Sequence, residues 1–178
     1  MLILIGETKG HLGASLYARE IMGREGGALG PPPPVDLAVE KRNADFVRSL
    51  IEQGLVNAAH DVSEGGIACA AAEMALASNQ LFHVGVGQHT AANLDMRHWL
   101  FSEDQGRMIV STNQLEKWQK LALQAGIRIT EIGGVKSFPN KELILNEPGV
   151  CLGGENLPLA KLRDAHEGWL PTYMSKVD

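Results

Sequence analysis

Ala58-Ala59-His60-Asp61-Val62-Ser63-Glu64-Gly65-Gly66, running straight on into Ile67-Ala68-Cys69-Ala70-Ala71-Ala72-Glu73-Met74-Ala75-Leu76, is the stretch whose reading decides the fold. Its lead-in of Leu55, Val56, Ala58 and Ala59 is short and apolar, which predicts a buried strand. The Ala-rich run has high helix propensity and is apolar nearly all round, so it predicts a helix packed on a sheet. Between them lies a tight polar turn. Such a turn presents unpaired backbone N–H groups at a helix N-terminus and sets two carboxylates (Asp61, Glu64) and a hydroxyl (Ser63) beside them. It also has no side chain at Gly65 or Gly66 to block a ligand's approach. Amide donors suit phosphate, and carboxylates suit a hard cation such as Mg2+ that neutralises it. A purely local reading fits the same residues: Asp61 or Ser63 caps the helix and the glycines permit close packing. The residues alone leave both open.

Upstream, Leu2 to Ile5 is an apolar run closed by Gly6 and predicts a strand, whose abrupt start suggests a fragment of a longer chain. The loop from Gly6 to Ser15 is glycine-rich and leads into a helical pattern with Leu16, Tyr17 and Ile21. It is not a P-loop, because Lys9 precedes Gly10 and no Lys-Ser or Lys-Thr pair follows a glycine. Pro31 to Pro34 predicts a stiff connector within a loop, with too little chain before it to be a domain boundary. Asp36 is placed to cap a helix that carries Val39, Asn43, Phe46, Val47, Leu50 and Ile51 on one side and closes at Gly54.

Downstream, Phe82 to Gly87 alternates as a strand, and Leu94 to Trp99 predicts one or two helical turns. A second polar cluster, Phe101-Ser102-Glu103-Asp104-Gln105-Gly106-Arg107, runs into Met108-Ile109-Val110, a buried strand. Carboxylates and an arginine at the mouth of a strand fit a ligand site or an ordinary ion-pair turn, and the sequence favours the turn. Asn113 with Glu116 makes a capping box for a helix carrying Leu115, Trp118, Leu121, Ala122 and Ala125, closed by Gly126. Ile127 to Ile132 reads as a half-buried strand that Gly133-Gly134 ends, Leu143 to Leu145 as another, and the tail from Leu157 to Leu170 as a helix begun near Pro158. This alternation predicts a single domain over 1–178 with a layered α/β (α+β) sandwich, a mixed sheet packed with helices.

Composition narrows the function. The 178 residues carry a formal net charge of −5 with Lys and Arg scattered singly, which gives no basic stripe and argues against nucleic acid. Cys69 and Cys151 have neither metal-ligand nor disulfide-scaffold spacing and read as small buried thiols in a reducing compartment. His83 and His89 match no ligand spacing and read as surface or satisfied histidines. No run approaches membrane-spanning length, so a cytoplasmic protein is expected.

The words from His60 to Gly66, the helix with Ala72-Glu73-Met74-Ala75, the words from Phe101 to Arg107 and the opening Gly6-Glu7-Thr8 through Leu12-Gly13-Ala14-Ser15 together resemble a known family. They are similar to the C-terminal domain of the second half of phosphoribosylformylglycinamidine synthase, in the aminoimidazole ribonucleotide synthetase-like superfamily. Glu64 stands where aspartate is commoner and Ser102 where glycine is commoner. The resemblance implies ATP-dependent ligase chemistry in purine biosynthesis, converting formylglycinamide ribonucleotide, glutamine-derived ammonia and ATP to the amidine, with Mg2+ and ATP/ADP bound. It implies a metal-binding Asp61 and a nucleotide-binding Ser63, in keeping with the phosphate-plus-cation reading of the turn that also takes in Gly65 and Gly66. Glu103 and Arg107 form a possible ligand cluster, the counterpart of a substrate-binding segment in the first half. Catalytic residues of the family have no counterpart here, so the chain alone is expected to be inactive. The implied partners are the missing N-terminal domains of the same polypeptide and, in a separate-subunit enzyme, a glutaminase subunit and a small bridging subunit. A non-catalytic binding or scaffold module of the same superfamily is the alternative.

Overall fold

Four consecutive apolar residues make β1 (Leu2–Ile5), and strand geometry sends alternate side chains to opposite faces. Leu2 and Leu4 enter one hydrophobic core and Ile3 and Ile5 the other, so the strand must lie inside a sheet covered on both sides. The computed structural model describes residues 1–85, 94–136 and 148–175. In it the other strands are β2 (Ala58–Asp61), β3 (Leu81–Val84), β4 (Met108–Ser111), β5 (Ile129–Lys136), β6 (Gly149–Leu152) and β7 (Glu155–Pro158). The sheet order is β2-β4-β1-β5-β3-β6-β7, with β3 and β6 parallel and every other pair antiparallel. The sheet is therefore mixed.

On one face, Ile3, Ile5 and Val110 pack against α1 (Leu37–Glu52) through Phe46, Val47 and Leu50 and against α4 (Leu115–Ala125) through Trp118 and Ala122. Trp118 meets Phe46 edge-to-face and donates its indole N–H to the Leu55 carbonyl at 2.9 Å, which satisfies the one polar atom it buries. On the other face, α2 (Gly66–Ser78) packs Ile67, Ala70, Ala71, Met74 and Ala75 onto Leu2, Leu4 and Ile109. Also on this face are Trp99 and Leu100 of α3 (Met96–Phe101) and Leu159 of α5 (Leu159–Glu167). A short α6 (Trp169–Met174) follows. The result is the layered sandwich that the alternation of elements predicts, and among the described residues no helix is long and apolar enough to cross a membrane.

Several local expectations change. The strand leading to the central turn is Ala58–Asp61, not the apolar lead-in, and Ala58 and Ala59 are exposed because among the described residues β2 lies at the sheet edge, paired with β4. Leu55 is buried ahead of it, where its carbonyl accepts from Thr112 and Trp118. Gly133-Gly134 does not end β5. A Cβ at Gly133 would lie 1.8 Å from the His83 carbonyl oxygen, so the glycine lets β3 approach and the strand continues to Lys136. Asn113 and Glu116 form no capping box: Gln114 is the N-cap of α4, and its N–H is taken by the Thr112 hydroxyl at 3.0 Å. Asp36 does cap α1, accepting from Ala38 and Val39. The helical pattern after the opening loop shrinks to one π-helical turn, Tyr17–Ile21. The expected strand at Leu143 to Leu145, residues 86–87 of the expected Phe82 to Gly87 strand, and His89 lie outside the described residues.

Candidate functional site

Strand register brings three chain segments to one end of the sheet. Ile5 and Asp61 both sit opposite Met108, so the loop leaving β1, the turn leaving β2 and the segment entering β4 meet there. The middle segment does the joining. Ser102, Glu103, Asp104 and Arg107 are all buried, against the expectation for charged residues in a turn.

Each of these buried charges is matched to main-chain groups. Glu103 Oε1 accepts from the Leu16 N–H at 2.8 Å and the Gly65 N–H at 2.9 Å, and the Glu103 N–H donates to the His11 carbonyl at 3.1 Å. Asp104 Oδ2 accepts from the Lys9 and Gly10 N–H groups at 2.8 and 2.9 Å. The Arg107 guanidinium donates to the Asp104 carbonyl (2.9 Å), the Thr8 hydroxyl (3.0 Å) and the Ser102 carbonyl (2.6 Å). Its own carbonyl accepts from the Val62 N–H at 3.0 Å, extending the β2 ladder into the turn. Among the described residues no carboxylate lies within ion-pair distance of Arg107, so the segment is not an ion-pair turn. Each guanidinium nitrogen thus has an acceptor, and the curled backbone between Ser102 and Arg107 supplies two of the three as carbonyls. Burial draws the Arg107 pKa down to about 10, while Asp104 and Glu103 push it back up, which leaves it charged at neutral pH.

The central turn is built the opposite way. Neither Asp61 nor Ser63 caps α2; the N-cap is Gly65, in the left-handed region at φ 74°, with no side-chain cap. The Gly66 N–H goes to the Ser63 carbonyl at 3.1 Å and the Gly65 N–H to Glu103, so these two glycine amides are engaged by the protein itself and are not the unpaired donors expected of the turn. Both glycines are sterically required. A Cβ at Gly65 would fall 2.2 Å from Cys69 Sγ, and one at Gly66 would fall 2.6 Å from the Leu100 and Ser102 carbonyl oxygens. The close-packing half of the local reading thus describes Gly65 and Gly66, and the capping half does not describe Asp61 or Ser63.

What the turn presents to solvent is oxygen. The Asp61 side chain is 75% exposed, and Ser63 and Glu64 are exposed beside it. Asp61 Oδ1 lies 3.7 Å from His60 Nδ1, and His60 Nε2 lies 3.1 Å from Glu73 Oε2. Among the described residues no three His, Cys, Asp or Glu side chains are grouped to hold a metal by themselves. One exposed carboxylate is nevertheless the kind of ligand from which Mg2+ is bound, since that ion takes one or two protein carboxylates and completes its shell with phosphate oxygens and water. For Cys69, under the turn, burial first, then Glu73 and Glu103, raise the thiol pKa, which disfavours the thiolate.

Sequence reading located the turn but missed the partners of Glu103, Asp104 and Thr8. The signal available was an adjacent acidic pair entering a buried strand downstream of a glycine-rich loop whose amides lacked obvious acceptors.

A family model described as AIR synthase related protein, C-terminal domain, matches residues 1–146, and the chain belongs to that family. Within it, the chain is 44% identical over 176 residues to the phosphoribosylformylglycinamidine synthase subunit PurL of Parvibaculum lavamentivorans, covering 98% of this chain and 22% of that protein. The corresponding subunit of Caulobacter vibrioides is 42% identical, with 98% and 21% covered. These matches support the identification with the C-terminal domain of phosphoribosylformylglycinamidine synthase drawn from the sequence. The chain spans about one fifth of the length of these curated relatives. The fold is that of Thermotoga maritima PurL complexed with FGAR, with a TM-score of 0.67 at 23% identity over 90% of this chain and 27% of that one. Thiamine-monophosphate kinase from Stenotrophomonas maltophilia shares it more distantly, with a TM-score of 0.53 at 18% identity over 88% of this chain and 50% of that one.

Proposed function

We propose that this chain is the C-terminal domain of the second half of a phosphoribosylformylglycinamidine synthase and lines a Mg-nucleotide cleft completed by domains that precede it in the same polypeptide. The single observation that carries this reading is the exposed Asp61 carboxylate, held at a glycine turn and spent on no cap. In support, curated relatives are synthase subunits, and Thermotoga maritima PurL has been solved with ATP and with ADP.

In this reading Asp61 binds the metal and Ser63 contacts the nucleotide, while Gly65 and Gly66 shape the turn that aims them. Glu103 and Arg107 belong to the frame behind the turn. Bound Mg2+ would supply charge neutralisation for phosphoryl transfer to the amide oxygen of formylglycinamide ribonucleotide, which ammonia from glutamine then displaces. This chain's residues contribute binding and orientation, hold no catalytic group, and are inactive alone. The remaining polypeptide, and a glutaminase subunit with a small bridging subunit where these are separate, complete the enzyme in the cytoplasm.

The test is Asp61→Asn in the synthase polypeptide that carries this chain. Nucleotide retained through purification and the Mg2+ dependence of amidine formation are measured. The reading predicts that the Mg2+ requirement rises about tenfold or more, the scale on which disturbed metal ligation acts. Unchanged nucleotide content together with an unchanged Mg2+ dependence would sink it.

A further inference from the structure

A single atom, Glu103 Oε1, accepts the N–H of Leu16 on one side and the N–H of Gly65 on the other. The first of these amides opens the π-helical turn Tyr17–Ile21, and the second opens α2 directly after Asp61, Ser63 and Glu64. Glu103 is only 9% exposed, so these charge-assisted bonds are shielded from competing water. Cys69 Sγ packs against Gly65 where a side chain would otherwise lie.

From this geometry we infer that Glu103 is a positioning residue that latches the opening glycine-rich loop to the Asp61–Ser63 turn, so that loop and turn form one wall. The functional part rests on the reading above, in which that turn takes Mg-nucleotide. The latch itself does not. A ligand on this wall meets the surface that Glu103 holds in place, since Oε1 is already occupied by two backbone donors. Asp104, one residue on, serves a separate stretch of the loop through the Lys9 and Gly10 amides. Loop and turn are therefore coupled through Glu103, and the loop's first bend is held independently.

Amide hydrogen exchange on the full chain reads the latch directly. Glu103→Ala is expected to speed exchange at Leu16 and Gly65 together by about tenfold or more, the worth of a charge-assisted bond. Lys9 and Gly10 stay at the wild-type rate, and Glu103→Gln, whose amide oxygen can still accept, restores most of the protection. Exchange unchanged at both amides, or raised at one alone, overturns the inference. Should Glu103→Ala not fold, Glu103→Asp carries the same test, because a carboxylate one methylene shorter cannot reach both donors; full protection at both overturns it. Mg·ADP affinity in the longer synthase polypeptide reads the positioning role, with several-fold weakening expected for Glu103→Ala and near wild-type binding for Glu103→Gln. If Asp61→Asn loses Mg·ADP while Glu103→Ala, with both amides released, binds it normally, the positioning role is refuted and the functional reading survives. If Asp61→Asn has no effect, the functional reading falls and the latch is judged on exchange alone.

Discussion

The Asp61–Gly66 turn and the Ser102–Arg107 segment are two acidic, glycine-containing words next to strands, and they have opposite fates. In the first, Asp61, Ser63 and Glu64 stay exposed, while the backbone amides of Gly65 and Gly66 are engaged. In the second, the side chains of Glu103, Asp104 and Arg107 are themselves engaged, by four amides, two carbonyls and a hydroxyl. Composition does not separate them. What does is the direction in which each spends its hydrogen bonds: the buried segment gives its side chains to neighbouring backbone, and the turn leaves its side chains exposed. One is frame and the other is face.

The contrast breaks most visibly at Arg107. Arg107→Met is expected to destabilise the chain by about 3–5 kcal/mol in urea unfolding, because it removes three charge-assisted hydrogen bonds and strands the Ser102 and Asp104 carbonyls and the Thr8 hydroxyl. A loss below 1 kcal/mol would remove the segment from the frame. Asp104→Ala comes next, at about 2–3 kcal/mol for two shielded amide bonds, and faster exchange at Lys9 and Gly10 should accompany it. Gly65→Ala combines a left-handed backbone with a contact against Cys69 Sγ and is expected to cost about 1–3 kcal/mol by thermal unfolding. Smallest is Asp61→Asn, which should leave folding stability within about 0.5 kcal/mol of the parent, as befits an exposed side chain that caps nothing.

Much of this was legible in sequence because it depends on near neighbours. The apolar run of β1, the amphipathic α1 with its Asp36 cap and the Ala-rich α2 all follow from local pattern. The strand-turn-helix around Asp61 is local as well, which is why the exposed turn can be found without a structure. The frame cannot. Glu103 reaches Leu16 and Gly65, and Asp104 reaches Lys9 and Gly10, across separations that no periodicity records. Edge position escaped for the same reason: Ala58 and Ala59 have the composition of a buried strand, and only the sheet order places them at the edge, where they are exposed. Gly133 likewise reads as a stop until β3 is seen pressed against it.

The most direct test of face against frame measures two properties of one Asp61→Asn protein, in the synthase polypeptide that carries this chain: its melting temperature and its affinity for Mg·ADP by titration calorimetry. The account predicts an unchanged melting temperature and an affinity lowered about tenfold or more. A lowered melting temperature with affinity intact would place Asp61 in the frame and contradict it.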